Sequence, residues 1–129
     1  MKALTVSQPF ASLIASGEKW VENRCWGTQY RGPLAIHAGK GQYLERDELE
    51  LYPTGSIMAT CELVACIPLR SLKSLRPTCP IQRGRFTAGQ VLNHPHTEGP
   101  WCWILANVHV LDPPIPHRGA PGLWEWNGC

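Results

Sequence analysis

The segment GSIMATCELVACI, residues 55–67, constrains the fold more than any other part of the sequence. From Ile57 onward both alternating sets of positions are apolar, with Thr60 and Glu62 as the exceptions. A strand of this kind is covered on both faces, as in a small barrel with helices or loops packed outside. Because a chain of 129 residues can bury one such core, we expect a single domain over residues 1–129.

Twelve prolines and twelve glycines divide the rest of the chain into short elements and argue against a helical bundle. Period-two alternation and turn signals predict further strands over residues 19–26, 33–38, 101–113 and 122–126. Short helices are predicted over 7–17 and 43–51, and residues 69–100 are expected to be irregular. The fold class that follows is α+β, with a small, mixed, mostly antiparallel β-barrel and flanking short helices.

The first predicted helix has marked ends. Ser7 is a suitable N-cap, and Pro9 falls in the first turn, where a missing N–H costs little. Gly17 is a suitable C-terminal stop. Prolines also mark the end of the strand over 101–113, which we expect to stop at Pro113.

The cellular setting is predicted from what the sequence lacks. It contains no run of 18 apolar residues and no apolar stretch typical of a signal peptide, so we expect a soluble, cytoplasmic protein with reduced cysteines. No Cys-x-x-Cys occurs. We expect neither a metal nor another cofactor, because the spacing of the best zinc candidates matches no common pattern; they are Cys79, His94, His96 and Cys102.

Positive charge is concentrated in one part of the chain. The formal net charge is only +2, yet residues 63–97 contain no acidic residue. Glu62 and Glu98 are the acidic residues on either side of this stretch. The basic residues of this stretch are Arg70, Lys73, Arg76, Arg83 and Arg85. Such a patch attracts phosphate and is a candidate nucleic-acid contact, although it also fits an ordinary solvated loop.

The segment GEKWVENRCW carries charged residues between two structured segments. Strand alternation places Glu22 and Arg24 on one face and Val21 and Cys25 on the other. Arg24 either pairs with Glu22 or binds a phosphate or carbonyl oxygen through its planar guanidinium. Lys19 near a carboxylate either forms an ion pair or, when buried, moves a proton.

Further candidate contacts for a substrate are Ser7, Gln8, Phe10, Trp26, Tyr30 and His37. The aromatic rings either stack on a base or fill the core. The polar side chains either cap the helix and support the fold or bind an anion or a base edge. Glu62 is the only acid in its apolar strand, and a carboxylate there needs a partner or a cavity.

Three sequence segments together resemble the ASCH domain, a branch of the PUA-like superfamily: SQPFASLIASGEKWVENRCW, YRGPLAIHAGK and the closing GLWEW. The family motif Gly-x-Lys-x-x-Glu-x-Arg is complete as Gly17, Lys19, Glu22 and Arg24. The resemblance implies a PUA-like β-barrel with a cleft lined by the motif, and contact with RNA or a nucleobase.

The resemblance also implies a choice of activities. Some small bacterial members of the family are amidohydrolases that remove the acyl group from N4-acylated cytidines, whereas others are RNA-binding or coactivator modules, and ribonuclease activity has been attributed to the family. Lys19 corresponds to the lysine of the amidohydrolases, but Glu22 stands where they carry a threonine. We therefore predict a metal-free amidohydrolase acting on N4-acylcytidine, with Lys19 and a water activated by Glu22 or Glu62. The alternative is an RNA-binding module or a ribonuclease that uses the same cleft and the basic stretch.

Overall fold

The structure is a computed structural model that describes residues 1–40, 48, 51–81 and 85–128. Its described strands are β1 (Lys2–Ser7), β2 (Val21–Arg24), β3 (Gly32–Gly39), β4 (Ser56–Pro68), β5 (Pro80–Ile81), β6 (Phe86–Thr87), β7 (Trp101–Pro116) and β8 (Leu123–Glu125). Its three described helices are α1 (Phe10–Ala15), α2 (Leu69–Lys73) and α3 (Ala88–Asn93). The predicted helix over 43–51 lies largely outside the described residues.

Six strands share one sheet in the order β2–β7–β4–β3–β1–β8, and β5 pairs separately with β6. Strand β1 runs parallel to β3 and antiparallel to β8, while β2 runs antiparallel to β7. The sheet is mixed and mostly antiparallel, and the helices beside it are short. The predicted α+β class is confirmed.

The chain divides into two compact units. The first unit consists of Met1–Lys19, Pro33–Glu62 and Asn107–Cys129, and the second of Trp20–Gly32 and Leu63–Ala106. Strands β4 and β7 are long enough to contribute residues to both. The expectation of a single domain over residues 1–129 stays a prediction.

The first unit has its own apolar core. Ala3, Ala35, Ile57 and Trp126 form a buried cluster in it, and the partly buried hydrophobic residues packed against this cluster are Leu111, Ile115 and Trp124. Strand β1 was not predicted from the sequence, although Leu4 and Val6 are buried at alternate positions, as in a strand, and Ala3 is buried as well. Because β1 is only six residues long and begins next to the first residue, it lacks the turn signals that mark the other strands.

Strand β1 also corrects the prediction for Ser7. This residue is the last of β1 and pairs with Gly39, so it does not cap the helix. Pro9 holds the N-cap position, and the Gln8 side chain accepts a hydrogen bond from the Ser12 backbone N–H at 3.0 Å. Gly17 ends the helical turn with φ of +86°, as predicted from the sequence.

The strands predicted around the long apolar segment are confirmed, but β2 is shorter than the predicted 19–26 and β7 is longer than the predicted 101–113. Strand β4 is buried at both alternating sets of positions, and β8 closes the sheet beside β1. Strand β7 continues past Pro113 to Pro116, so the expected stop was wrong. Strand β2 pairs with β7 only between Trp101 and Ile104, and a proline beyond that stretch breaks no hydrogen bond to β2.

The described residues of 69–100 include helices and strands, contrary to the prediction of an irregular stretch. They contain α2, α3 and the β5–β6 hairpin, and they belong to the second unit. Leu72, Ile81 and Val91 from these elements join the buried core of that unit. Helix α3 begins with a capping box, in which Thr87 Oγ1 accepts from Gln90 N–H at 3.2 Å and Gln90 Oε1 accepts from Thr87 N–H at 2.9 Å.

Removing this cap is expected to destabilise the second unit. Because Thr87→Ala leaves the Gln90 N–H without its side-chain acceptor, we expect the free energy of unfolding to fall by about 1 kcal/mol. Urea denaturation followed by circular dichroism measures the change. Thr78→Ala is the matched control, since Thr78 lies on an exposed turn. Equal stability of the two variants would contradict a stabilising role for the capping box.

None of the described helices is long and apolar enough to cross a membrane.

Candidate functional site

Lys19 is buried in the first unit immediately after the turn at Gly17. Its backbone N–H donates to the Leu13 carbonyl at 3.0 Å, which fixes the chain as it leaves α1. The residue is only 2% exposed, and its Nζ lies 5.4 Å from the centre of the Phe10 ring. A buried ammonium group is costly without compensation, and an aromatic face supplies part of it. The structure therefore brings two predicted site residues, Lys19 and Phe10, together.

Gln8 supports the start of α1. Its side chain is fully buried, and its Nε2 donates to the Pro53 carbonyl at 2.7 Å while its Oε1 accepts from Ser12. The Gln8 side chain, which follows β1, therefore connects α1 to the segment at Pro53 through hydrogen bonds of its amide nitrogen and its amide oxygen. Ser7 is half-buried at the end of β1.

His37 lies in a hydrogen-bonded network of the first unit. It is 3% exposed, its Nδ1 lies 3.2 Å from Thr5 Oγ1, and its Nε2 lies 2.7 Å from the His117 carbonyl oxygen. The indole of Trp124 packs edge-on at 5.6 Å and donates from Nε1 to Thr5 Oγ1 at 3.3 Å. Both ring nitrogens of His37 have protein partners, which agrees with the alternative that this side chain supports the fold.

Glu62 is partly buried in β4, in the first unit with Lys19. Burial, reinforced by the negative charge of Glu62, raises the pKa of the neighbouring Cys61 thiol to about 12. Cys61 therefore stays protonated near neutral pH and is not a nucleophile. Burial likewise raises the pKa of the Cys66 thiol, in the second unit.

Glu22 and Arg24 form an ion pair on β2, in the second unit. Arg24 Nε lies 3.1 Å from Glu22 Oε2, and the two side chains are 24% and 9% exposed. Their shared face agrees with the predicted alternation, but Cys25 lies beyond β2 and is exposed rather than facing the core with Val21. This ion pair holds the Glu22 carboxylate beside the Arg24 guanidinium.

The aromatic candidates of the second unit are both half-buried. Trp26 packs edge-on against the buried Trp103 at 4.8 Å, and its carbonyl accepts from Trp103 Nε1 at 3.1 Å. The backbone N–H of Tyr30 donates to Thr28 Oγ1 at 3.1 Å. Trp26 and Tyr30 thus keep part of their surface accessible while being anchored by neighbouring residues.

A cleft of about 500 Å³ opens in the second unit beside α2. It is lined by Pro68, Leu69, Arg70, Lys73, Glu98, Gly99, Pro100 and Trp101. The structure thus brings together Arg70 and Lys73 of the predicted basic set. Arg76 and Arg85 are exposed and do not line the cleft, and Arg83 lies outside the described residues.

Asn23 shapes the rim of this cleft, a role that the sequence did not indicate. Its Nδ2 donates to the His96 carbonyl at 2.6 Å, and its Oδ1 accepts from the backbone N–H groups of Glu98 and Gly99 at 2.9 and 2.8 Å. Because Asn23 lies between Glu22 and Arg24 on β2, one short strand carries both the ion pair and the support of the cleft. A polar residue inside a strand was the only sequence signal for this role.

The candidate zinc ligands Cys79, His94, His96 and Cys102 all lie in the second unit. In the ranges that the structure describes, no three His, Cys, Asp or Glu side chains come together to hold a metal ion. His94 Nε2 instead accepts from the Trp20 backbone N–H at 3.3 Å, with its ring 4.5 Å from the indole. All described cysteines have free thiols, and Cys102 is fully buried.

Comparison with known proteins identifies one family. The sequence model described as the ASCH domain matches residues 4–115. The chain is 27% identical over 139 aligned positions to Activating signal cointegrator 1 of Homo sapiens and 23% identical to that of Mus musculus. These matches cover 95% of the chain, but the chain spans only 22% of the length of either relative.

Solved structures agree at the level of the fold. The crystal structure of ASCH from Zymomonas mobilis matches with a TM-score of 0.51 and 21% identity, covering 89% of this chain and 72% of that one. A single-substitution variant of the same protein matches with a TM-score of 0.51 and 20% identity, covering 89% and 74%. At this identity the likeness concerns the fold alone.

Proposed function

Because the chain belongs to the ASCH domain family, we propose that it hydrolyses the amide bond of an acylated nucleobase, with N4-acylcytidine as the substrate. The single observation that best supports this proposal is the burial of Lys19, the motif lysine, to 2% exposure. A protein rarely buries a lysine without using its charge, since desolvation of the ammonium group is costly. Hydrolysis of an amide provides such a use.

In this proposal Lys19 stabilises the charge that develops on the acyl oxygen. Attack of water on the acyl carbon converts the carbonyl into an oxyanion, and a preorganised cation in a water-poor site stabilises it more strongly than water does. The Phe10 ring, 5.4 Å from Nζ, limits the directions from which water reaches the ammonium group. The carbon–nitrogen bond then breaks, and the exocyclic nitrogen takes a proton, so that cytidine and a carboxylate leave.

Glu62 is the better candidate for the base that activates the water. It belongs to the same unit as Lys19 and keeps partial access to solvent. Glu22 is 7% exposed and forms an ion pair with Arg24. We therefore assign Glu22 to holding Arg24 and Glu62 to proton transfer. A water nucleophile also accounts for the absence of a threonine at the position of Glu22.

Incubation of the purified protein with N4-acetylcytidine, and with analogues carrying longer acyl groups, tests the proposal. We expect cytidine to be released from at least one of these substrates, as measured by chromatography. No release from any of them would overturn the amidohydrolase assignment. Acyl-group preference is determined from the same series, and an RNA carrying N4-acetylcytidine shows whether the substrate is the free nucleoside or the polymer.

RNA binding is the second candidate function. ASCH and PUA-like domains generally bind RNA, and the cleft that presents Arg70, Lys73 and Trp101 is the observation that favours it. If phosphates are bound there, the affinity for single-stranded RNA falls steeply with salt, because bound phosphates release counterions. Titration of RNA at low and raised salt measures this dependence. Cleaved strands in the same samples would indicate a ribonuclease instead of a binding module.

A further inference from the structure

We infer that the cleft beside α2 is a subsite for one ribonucleotide, in which Glu98 distinguishes RNA from DNA. This inference deepens the RNA-binding candidate and rests on it; it is independent of the amidohydrolase. It concerns residues outside the family motif, all of them in the second unit. Three features of the cleft support it: two exposed cations, an indole packed against Gly27, and a carboxylate at the rim.

The two cations of the cleft are available to a ligand. Arg70 and Lys73 are three positions apart on α2, so they project from the same side of the helix, and both are exposed. Within the described part of the chain neither forms an ion pair, and Glu98 forms none either. Two cations with no protein partner on one wall of a cleft match a phosphodiester.

The indole of Trp101 provides the apolar part of the subsite. Trp101 begins β7, is half-buried and lines the cleft. Its ring is seated so closely against Gly27 that a Cβ added there would lie 2.4 Å from Cε3. A ring held in this way loses little freedom when a base stacks on it, and aromatic stacking is tolerant of base identity.

Glu98 is the feature that a phosphate site alone does not explain, because a carboxylate repels phosphates. The backbone at Glu98 is held at the rim, because its N–H donates to Asn23 Oδ1 at 2.9 Å. The donor that a nucleotide offers to a carboxylate beside its phosphate is the ribose 2′-hydroxyl. Cations, an indole and a carboxylate in one cleft of about 500 Å³ therefore match a ribonucleotide better than a deoxyribonucleotide.

Fluorescence anisotropy with labelled single strands of about ten nucleotides, one RNA and one DNA of the same sequence, tests the inference on the intact chain. The wild-type protein is expected to bind RNA more tightly. Glu98→Ala is expected to reduce the ratio of RNA to DNA affinity by about tenfold, the effect of one charge-assisted hydrogen bond. Arg70→Ala is expected to weaken both strands equally and to lower the salt slope by about one.

Arg118→Ala is the matched control, since Arg118 is an exposed arginine of the first unit and is expected to leave both affinities unchanged. All substituted residues are exposed, and thermal unfolding confirms that the variants fold. An unchanged RNA-to-DNA ratio in Glu98→Ala would overturn the subsite while leaving RNA binding intact. No RNA binding by the wild type would overturn both, and neither result bears on the release of cytidine from the nucleoside.

Discussion

Exchange of Lys19 for methionine is expected to lower the rate of cytidine release from N4-acetylcytidine by about 10²–10³-fold, the usual cost of removing one group that stabilises an oxyanion. Methionine has a similar length and is apolar, so it suits a position that is 2% exposed. The loss is expected in kcat and not in substrate binding alone, because the oxyanion forms only on the way to the transition state.

Steady-state kinetics of the wild type and two variants measure this effect. Lys40→Met is the control, since Lys40 is an exposed lysine of the same unit. It is expected to keep the wild-type rate. Circular dichroism and thermal unfolding establish that Lys19→Met remains folded. A folded Lys19→Met variant with the wild-type rate would remove Lys19 from the chemistry.

Glu22→Gln is expected to act on stability more than on catalysis. It leaves the guanidinium of Arg24, only 24% exposed, without the carboxylate at 3.1 Å. We expect the free energy of unfolding to fall by about 2 kcal/mol, less than for a fully buried pair because Arg24 keeps some contact with water. Urea denaturation of Glu22→Gln, Arg24→Met and the double variant measures the coupling, and the double variant is expected to recover part of the loss.

Steady-state kinetics of Glu22→Gln and Glu62→Gln show which of the two carboxylates activates the water. If Glu62 activates the water, Glu62→Gln lowers kcat by about 10²-fold or more under conditions where the variant is folded. Glu22→Gln then keeps most of its activity under conditions where it is folded. The reverse pattern, a folded and stable Glu22→Gln without activity beside an active Glu62→Gln, would make Glu22 the base and contradict the assignment made here.

Much of the sheet could be predicted from the sequence because its strands are long or bounded by clear turns. Strands β3, β4 and β7 contain β-branched apolar residues and begin at or just after a glycine or proline, and the glycine at position 17 marked the end of α1. Strand β1 was missed, and Ser7 was misassigned with it, because a six-residue parallel strand gains its stability from β3, its distant neighbour in the sheet.

The second unit was harder to predict because its elements are very short. The density of prolines between residues 69 and 100 suggested an irregular loop, although Thr87 and Gln90 form a capping-box pattern. Helices of five or six residues depend on packing, here through Leu72 and Val91, more than on local propensity. The period-two pattern did place Glu22 and Arg24 on one face, since that relation is local to one strand.

The cleft beside α2 could not be predicted, because Arg70 and Glu98 are distant in sequence and meet only through the fold. Asn23 was equally hidden, since its function depends on the backbone of residues 96–99. The pairing of charges within one strand can be predicted from the sequence. A cleft can be predicted only when the three-dimensional path of the chain between its walls is known.

The most direct test of the central claim is a nuclear magnetic resonance titration of the wild-type protein with cytidine, the proposed product. Because the proposal places the nucleobase at Lys19 with Glu62 as the base, the backbone amide signals of these residues are expected to shift in a saturable manner. Saturable shifts confined to α2 and the cleft at Glu98, or no shifts at all, would contradict a nucleobase site at the family motif.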